Sequence, residues 1–335
     1  MKAVKTPIKN LNNLRIELFE KELMDMSYRI KTDSEFGYIP ITDIEKIDKN
    51  LEIVDINLEE IKTFPKNFTE LLDDKLNKED LENLKTSFDI IGEVVILEIP
   101  EELEKQKTII GEAALKFTKR KSVYMKKSPI KGTTRVREIE LLSGEDNPVT
   151  IHKEHGNRLK LDVSNVYFSP RLARERNIIA SEVKDNEKIL DMFCGVGPFP
   201  IIIAKEKNVK ITAVDINKIA INYLEENIKL NKLKGEITPI NKDICKINFE
   251  NEKFNRIIMN LPGTAYEFLD LAMDLIENNG IINYYEFSED FIQGIERVKK
   301  AAKEKNKKVE IISTRKVKSN SPGMWHVAID SRITY

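Results

Sequence analysis

Cysteine is nearly missing. Cys194 and Cys245 are the two in 335 residues, which is too few for a disulfide framework or a thiolate zinc site. Histidine is as scarce, and His152, His155 and His326 are too scattered for a metal cage. Long apolar runs are missing as well. The strongest, Ile201 to Ala204, falls far short of the ~18 residues of a membrane helix. Lys2 and Lys5 are not followed by the apolar stretch of a signal peptide. A cytoplasmic protein with no membrane partner is therefore expected. Net charge is missing too, because 55 Lys+Arg stand against 56 Asp+Glu. Only the distribution of charge can speak for or against a polyanionic partner.

What is present is enough apolar material, 41% of residues, to build more than one core; at ~100–200 residues per domain the length suggests two or three. Residues 1–60 predict a small α+β unit. Leu14, Leu18, Phe19 and Leu23 recur at helical spacing within 13–26, and short strands are predicted near 28–31, 36–41 and 51–56. A second α+β segment, 66–158, predicts helices over 68–84 and 101–115. Between them lies a bent strand or strand pair over 89–100, with Gly92 at the bend. From 159 the pattern changes to alternation. Strands are predicted at 188–193, 210–215, 235–240, 254–260 and 280–286, and helices at 198–207, 218–231 and 265–277. That pitch means an α/β fold with a doubly wound, mostly parallel sheet over 159–335.

The sharpest motif is Asp191-Met-Phe193-Cys-Gly195-Val-Gly197-Pro-Phe199, between a predicted strand and helix. The glycines permit a tight turn and close approach of a ligand. Bulky Ile201 and its neighbours exclude the third glycine of a dinucleotide fingerprint. Asp191 would repel a phosphate and suits a cationic amino-acid end. Asp215, in Val214-Asp-Ile216, closes the next strand 24 residues on and can accept from ribose hydroxyls. Asp243 follows the third strand and can accept from an adenine amino group. Three acids at successive strand ends match S-adenosylmethionine, although strand-end aspartates also serve as helix caps. After the fourth strand, Asn260-Leu-Pro262-Gly resembles the Asn/Asp-Pro-Pro-aromatic motif of methyltransferases that act on nitrogen. It departs from that motif at Leu261 and in lacking the aromatic.

Between Lys116 and Arg137 nine basic residues occur without one Asp or Glu, and Phe117 and Tyr124 are interleaved. Such a stripe suits phosphates. A second basic run, Lys299–Lys318, contains Glu304 and Glu310 and fits a solvated helix face equally well.

Thr134-Arg-Val-Arg-Glu-Ile-Glu-Leu-Leu-Ser-Gly144, Ile151-His-Lys-Glu-His-Gly156, Val166-Tyr-Phe-Ser-Pro-Arg-Leu172, the Asp191–Phe199 loop and Met259-Asn-Leu-Pro262 together resemble the archaeal and eukaryotic tRNA (guanine-37-N1)-methyltransferases. The resemblance implies a Rossmann-like class I methyltransferase domain preceded by two smaller α+β domains. It implies a tRNA partner, met at the outer corner and the anticodon stem-loop; a monomer is expected, because three linked domains of one chain can grip one tRNA. It places Arg135 as the base-recognising arginine, Glu175 as general base, Asn260 as the strand-end asparagine, and Tyr167 with Pro262 at the target base. Cofactor contacts are expected from Asp191, Phe193, Gly195, Gly197, Phe199, Asp215, Ile216, Asp243 and Asn260. Magnesium is admitted as an assistant that no motif requires. By their residue types alone, Glu175 could instead pair with Arg174 or Arg176, Arg135 could contact phosphate, and Tyr167 could be core. Two other activities fit much of the pattern: a wybutosine-pathway aminocarboxypropyltransferase, and a non-catalytic tRNA-binding protein.

Overall fold

Leu14 and Leu18, one helical turn apart, lie buried on a helix, Ile8–Glu20, that covers a four-stranded antiparallel sheet. In the computed structural model, which describes residues 1–61, 65–128 and 138–335, this sheet belongs to a compact unit, Met1–Lys66. Its strand order is Lys31–Thr32, Phe36–Pro40, Lys2–Pro7, Glu52–Asp55. Val4, Leu23, Ile39, Ile41 and Ile47 complete the core. Sequence periodicity placed the helix five residues late. Leu23 is buried but lies past the helix end, after Glu22 turns to φ +56°. Strand Lys2–Pro7 went unread because its alternation is short and rich in lysine.

The second unit, Asn67–Tyr335, begins with a mixed four-stranded sheet. Asp89–Ile91 and Val94–Leu97 form the hairpin expected around Gly92. The helix Lys107–Thr118 then crosses over to Ser122–Lys126, which lies parallel to Val94–Leu97, and Ile139–Gly144 closes the sheet. The helix predicted over 68–84 is a 3-10 turn, Phe68–Leu71, and a short helix, Lys78–Asn83. Each is capped by an asparagine side chain, Asn67 and Asn77. Asparagine caps start helices and so divide a run that hydrophobic spacing reads as one.

A hairpin, Val149–Glu154 with Asn157–Asp162, follows. The boundary expected at 158/159 falls inside this ladder. The hairpin is tied on both sides. Thr150 Oγ1 accepts from Glu93 N at 2.8 Å and His152 Nδ1 from Gly92 N at 3.3 Å. The fully buried Asn227 exchanges hydrogen bonds with Lys160 N and O, at 2.7 and 3.1 Å.

Seven strands form the last sheet: β1 (Lys188–Asp191), β2 (Lys210–Asp215), β3 (Glu236–Asn241), β4 (Phe254–Met259), β5 (Ile276–Ser288), β6 (Lys308–Ser321) and β7 (Met324–Thr334). Helices α1 (Ala173–Glu182), α2 (Pro198–Glu206), α3 (Lys218–Leu230), α4 (Leu269–Leu275) and α5 (Ile292–Glu304) accompany them. The order is β3-β2-β1-β4-β5-β7-β6. The first five are parallel, and β7 runs antiparallel between β5 and β6. This is the Rossmann-like methyltransferase arrangement, preceded by the two smaller α+β folds. Strand order reverses between β1 and β4, which is where open α/β sheets bind ligands. The second basic run straddles the end of α5 and the edge strand β6, so it is only partly a helix face. No helix among the described residues is long and apolar enough to cross a membrane.

Candidate active site

The acids read from the sequence do meet at the carboxyl edge. Asp191 closes β1, Asp215 closes β2 opposite Asn241 of β3, and Asn260 follows directly on β4. Between β1 and α2 the loop turns through Gly195 and Gly197 at φ +54° and +83°. A Cβ at position 197 would lie 2.2 Å from Leu224 Cδ1, so glycine there is required by both conformation and space. A Cβ at position 195 would meet only the Tyr167 carbonyl, at 3.9 Å.

Asp215 shapes this loop. Its Oδ2 accepts from Gly195 N at 2.7 Å and its Oδ1 from Asn217 N at 2.8 Å. Each oxygen keeps a second lone pair for a ligand hydroxyl. Burial raises the Asp215 pKa, and the amides of Asn217, Gly195 and Ile216 oppose the rise. Ile216, 47% exposed, presents an apolar surface beside it, and Phe193 packs edge-on to Phe268 at 5.0 Å. Asp243 is held partly as a cap, with Oδ1 accepting from Cys245 N at 3.1 Å. The Phe199 ring is buried in the core, 6.2 Å from that of Tyr285, because the first turn of α2 faces the sheet.

Asp191 carries the strongest ligand signal. It is 1% exposed; Oδ1 accepts from Phe193 N at 3.2 Å, and the buried Oδ2 has no hydrogen-bond partner. Burial, opposed by the Phe193 amide and helped by Asp215, pushes its pKa up to about 8. An orphaned acid of this kind fits an ammonium group, as the methionine end of S-adenosylmethionine would provide. The sign is definite. Between the ordinary carboxylate range and about pH 8 the folded site keeps a proton that the unfolded chain has released, so this contribution to stability falls as pH rises through that window. A cationic ligand reverses the preference. Binding below about pH 8 should therefore release a proton, and affinity should climb with pH until Asp191 is ionised. Calorimetry in two buffers of different ionisation enthalpy reads this directly. The same proton release in Asp191→Asn would assign it to another group.

Next to this edge a cleft of about 250 Å³ lies between the mixed four-stranded sheet and the seven-stranded sheet. Tyr167, Phe168, Ser169 and Arg171 form one wall, Phe287 and Lys318 another, and Asp89, Glu98 and Lys126 face them. Two features tie it to the carboxyl edge: the Tyr167 carbonyl faces Gly195, and Phe287 N donates to the carbonyl of buried Pro262 at 3.1 Å. Asn260 Oδ1 is buried without a hydrogen-bond partner, so this amide has an acceptor to offer. Arg171 pairs with Asp89 at 2.7 Å. Lys318 Nζ sits 3.5 Å from Tyr167 Oη and 3.4 Å from Ser169 Oγ, which brings a cation to the cleft. Sequence reading had Lys318 only as the end of a basic run. Arg135 lies outside the described residues.

Glu175 is 3% exposed and does not line the cleft. Neither neighbouring arginine on the helix holds it; Arg176 is bound to Glu154, through Nε at 2.6 Å. Its oxygens instead accept from Tyr285 Oη at 2.7 Å and from Arg315, whose Nε lies 3.1 Å from Oε1 and 2.8 Å from Oε2. Tyr285 and Phe287 share one face of β5 by strand alternation, and Phe287 lines the cleft. Glu175 therefore stands one layer behind the cleft wall. Among the described residues no group of three His, Cys, Asp or Glu side chains is placed to hold a metal.

Comparison with known proteins agrees with this geometry. A family model described as the TRM5/TYW2 methyltransferase domain matches residues 150–312, a TYW2 N-terminal domain model 68–147, and a tRNA methyltransferase 5 N-terminal domain model 3–49. The tRNA (guanine(37)-N(1))-methyltransferase Trm5b of Methanocaldococcus jannaschii is 42% identical over 325 residues, 94% of each chain. A solved complex of aTrm5 and tRNALeu superposes with a TM-score of 0.86 at 40% identity, covering 99% of both chains. The tRNA(Phe) (4-demethylwyosine(37)-C(7)) aminocarboxypropyltransferase of Pyrococcus horikoshii is 33% identical, spanning 95% of its own length but 79% of this chain.

Proposed function

The chain belongs to the TRM5/TYW2 methyltransferase family, and from that premise we propose that it is an S-adenosylmethionine-dependent tRNA methyltransferase acting on N1 of guanosine 37, just 3′ of the anticodon. The observation that carries this reading is extent. The likeness to a guanine-37-N1 enzyme covers 94% of the chain, and a tRNA methyltransferase 5 model matches within the Met1–Lys66 unit. The aminocarboxypropyltransferase likeness covers 79%.

The chemistry follows from the residues. Guanine N1 carries a proton at neutral pH, so its lone pair is not free until a base removes that proton. Glu175 takes it. The tightening that tRNA binding brings moves the base and the carboxylate together, as catalytic hydrogen bonds that are long in free enzymes require. Negative charge then develops on the adjacent carbonyl oxygen, where Arg135 stabilises it. Tyr167 stacks on the extruded base, and Pro262 and Asn260 hold its edge through apolar contact and the amide. Asp191 holds the ammonium of the cofactor, Asp215 its ribose and Asp243 its adenine, with Phe193, Ile216 and the Gly195–Gly197 loop around them. S-adenosylmethionine supplies the activated methyl group. Lys318 adds positive charge to the cleft that receives a polyanion. The first unit reads the outer corner of the tRNA and the rest grips the anticodon stem-loop, as one cytoplasmic monomer. Magnesium is assigned no ligand on the protein.

Nucleoside mass spectrometry of an unmodified tRNA transcript, after incubation with protein and S-adenosylmethionine, tests the reading. The expected product is 1-methylguanosine, lost when guanosine 37 is replaced. An aminocarboxypropyl adduct, or a methyl on another base, would move the activity elsewhere in the family.

A further inference from the structure

Glu175 is the end of a buried polar chain that crosses the sheet. Arg315 on the edge strand β6 grips Glu175 on one side and Asp330 of β7 on the other. Asp330 Oδ2 also accepts from Ser313 Oγ at 2.7 Å, and its Oδ1 from Asn283 Nδ2 at 2.6 Å. Asn283 Oδ1 accepts from Arg256 Nη1 at 3.0 Å, and Arg256 Nε reaches Glu187 at 2.9 Å. Asp330, Asn283 and Arg256 are each at most 1% exposed. Burying so many charges for packing alone is unfavourable when an apolar core of the same shape would serve. This chain, however, ends on a carboxylate one layer behind a substrate cleft.

We propose that Arg315, braced by Asp330, and the Tyr285 hydroxyl are positioning groups that fix the Glu175 carboxylate beside the cleft wall. The inference rests on the reading of Glu175 as the base. The groups facing Glu175 come from four elements. From β6 comes Arg315, which Glu175 and Asp330 keep charged despite its burial. From β5 comes Tyr285, whose pKa is raised by burial and then by Glu175 and Asp330, so its hydroxyl stays a donor. From β7 come Asp330 and His326, the latter's ring 5.4 Å from that of Tyr285. Its own helix adds Arg176, which Glu154 engages, and Glu182, whose pKa is raised by burial and by Asp330.

The test is single-turnover methylation by the full chain on a guanosine-37 transcript, with tRNA affinity measured beside it. Arg315→Gln should lower the rate at saturating tRNA by about a hundredfold, the scale of a ~1 Å misplacement, with tRNA affinity unchanged. Arg315→Lys should recover part of that rate. Tyr285→Phe should lower it by less, and decides the matter if Arg315→Gln does not fold. An unchanged rate in either variant, or a loss in Arg315→Gln that Arg315→Lys does not recover, overturns the proposal. If Glu175→Gln keeps the full rate, the reading of the base falls instead, whatever the Arg315 variants do.

Discussion

Glu175→Gln should lower the rate of N1-methylation by about two to four orders of magnitude, the span that a positioned general base contributes. The amide keeps the shape of the side chain and can still meet Tyr285 Oη and one nitrogen of Arg315, the partners it has in the wild type. It cannot take a proton from guanine N1. Since the cofactor acids are other residues at the strand ends, S-adenosylmethionine should bind Glu175→Gln with unchanged affinity, and tRNA likewise. The substitution leaves Arg315 with Asp330 as its remaining carboxylate, which costs stability as well, so a thermal melt has to accompany the kinetics. Single-turnover rates at saturating tRNA and cofactor separate the effects. A variant within threefold of wild type would remove Glu175 from the chemistry and direct the search to Asp89 and Glu98, the carboxylates that do line the cleft.

Asp215→Ala should weaken S-adenosylmethionine binding by roughly two to four orders of magnitude. A hydrogen bond to a charged group contributes about 1.5–3 kcal/mol, and this carboxylate can accept two from a ribose. It also holds the ligand loop through the Gly195 and Asn217 amides, at 2.7 and 2.8 Å, so the truncated site is both short of acceptors and less ordered. Affinity for tRNA should stay within a few-fold, because the basic surfaces are elsewhere. Calorimetric titration with S-adenosylmethionine measures the first quantity and filter binding the second. Unaltered cofactor affinity together with a lower melting temperature would leave Asp215 as a loop cap only.

The cofactor edge was legible because it follows local rules. In a parallel sheet each strand ends in the crevice, so an acid placed last in a strand is delivered there whatever the rest of the chain does. Asp191, Asp215 and Asn260 arrive on that principle, and at Gly197 an added Cβ would lie 2.2 Å from Leu224 Cδ1. That the Phe199 ring turns to the core was not legible, because a shift of one residue in where a helix starts rotates each side chain by about 100°, and sequence does not give that phase. The helices over 68–84 and 265–277 were broken into 3-10 and α pieces, since capping side chains and tertiary contacts, more than hydrophobic spacing, decide where a short helix stops.

The sequence by itself determined the class of fold, the run of strand-end acids and the glycine turn, all of which depend on neighbours within a few residues or on strand-to-strand order. Tertiary structure alone decided the company of Glu175. Its partners, Tyr285 and Arg315, lie 110 and 140 residues away, where β5 turns one face toward α1 and the antiparallel β7 brings β6 to the sheet edge. The same holds for the cleft, whose walls come from stretches of chain far apart in sequence, and for Lys318, which reaches Tyr167 across 151 residues. A pair interaction at such separation depends on strand register and helix rotation together, and neither is written in the few residues around it.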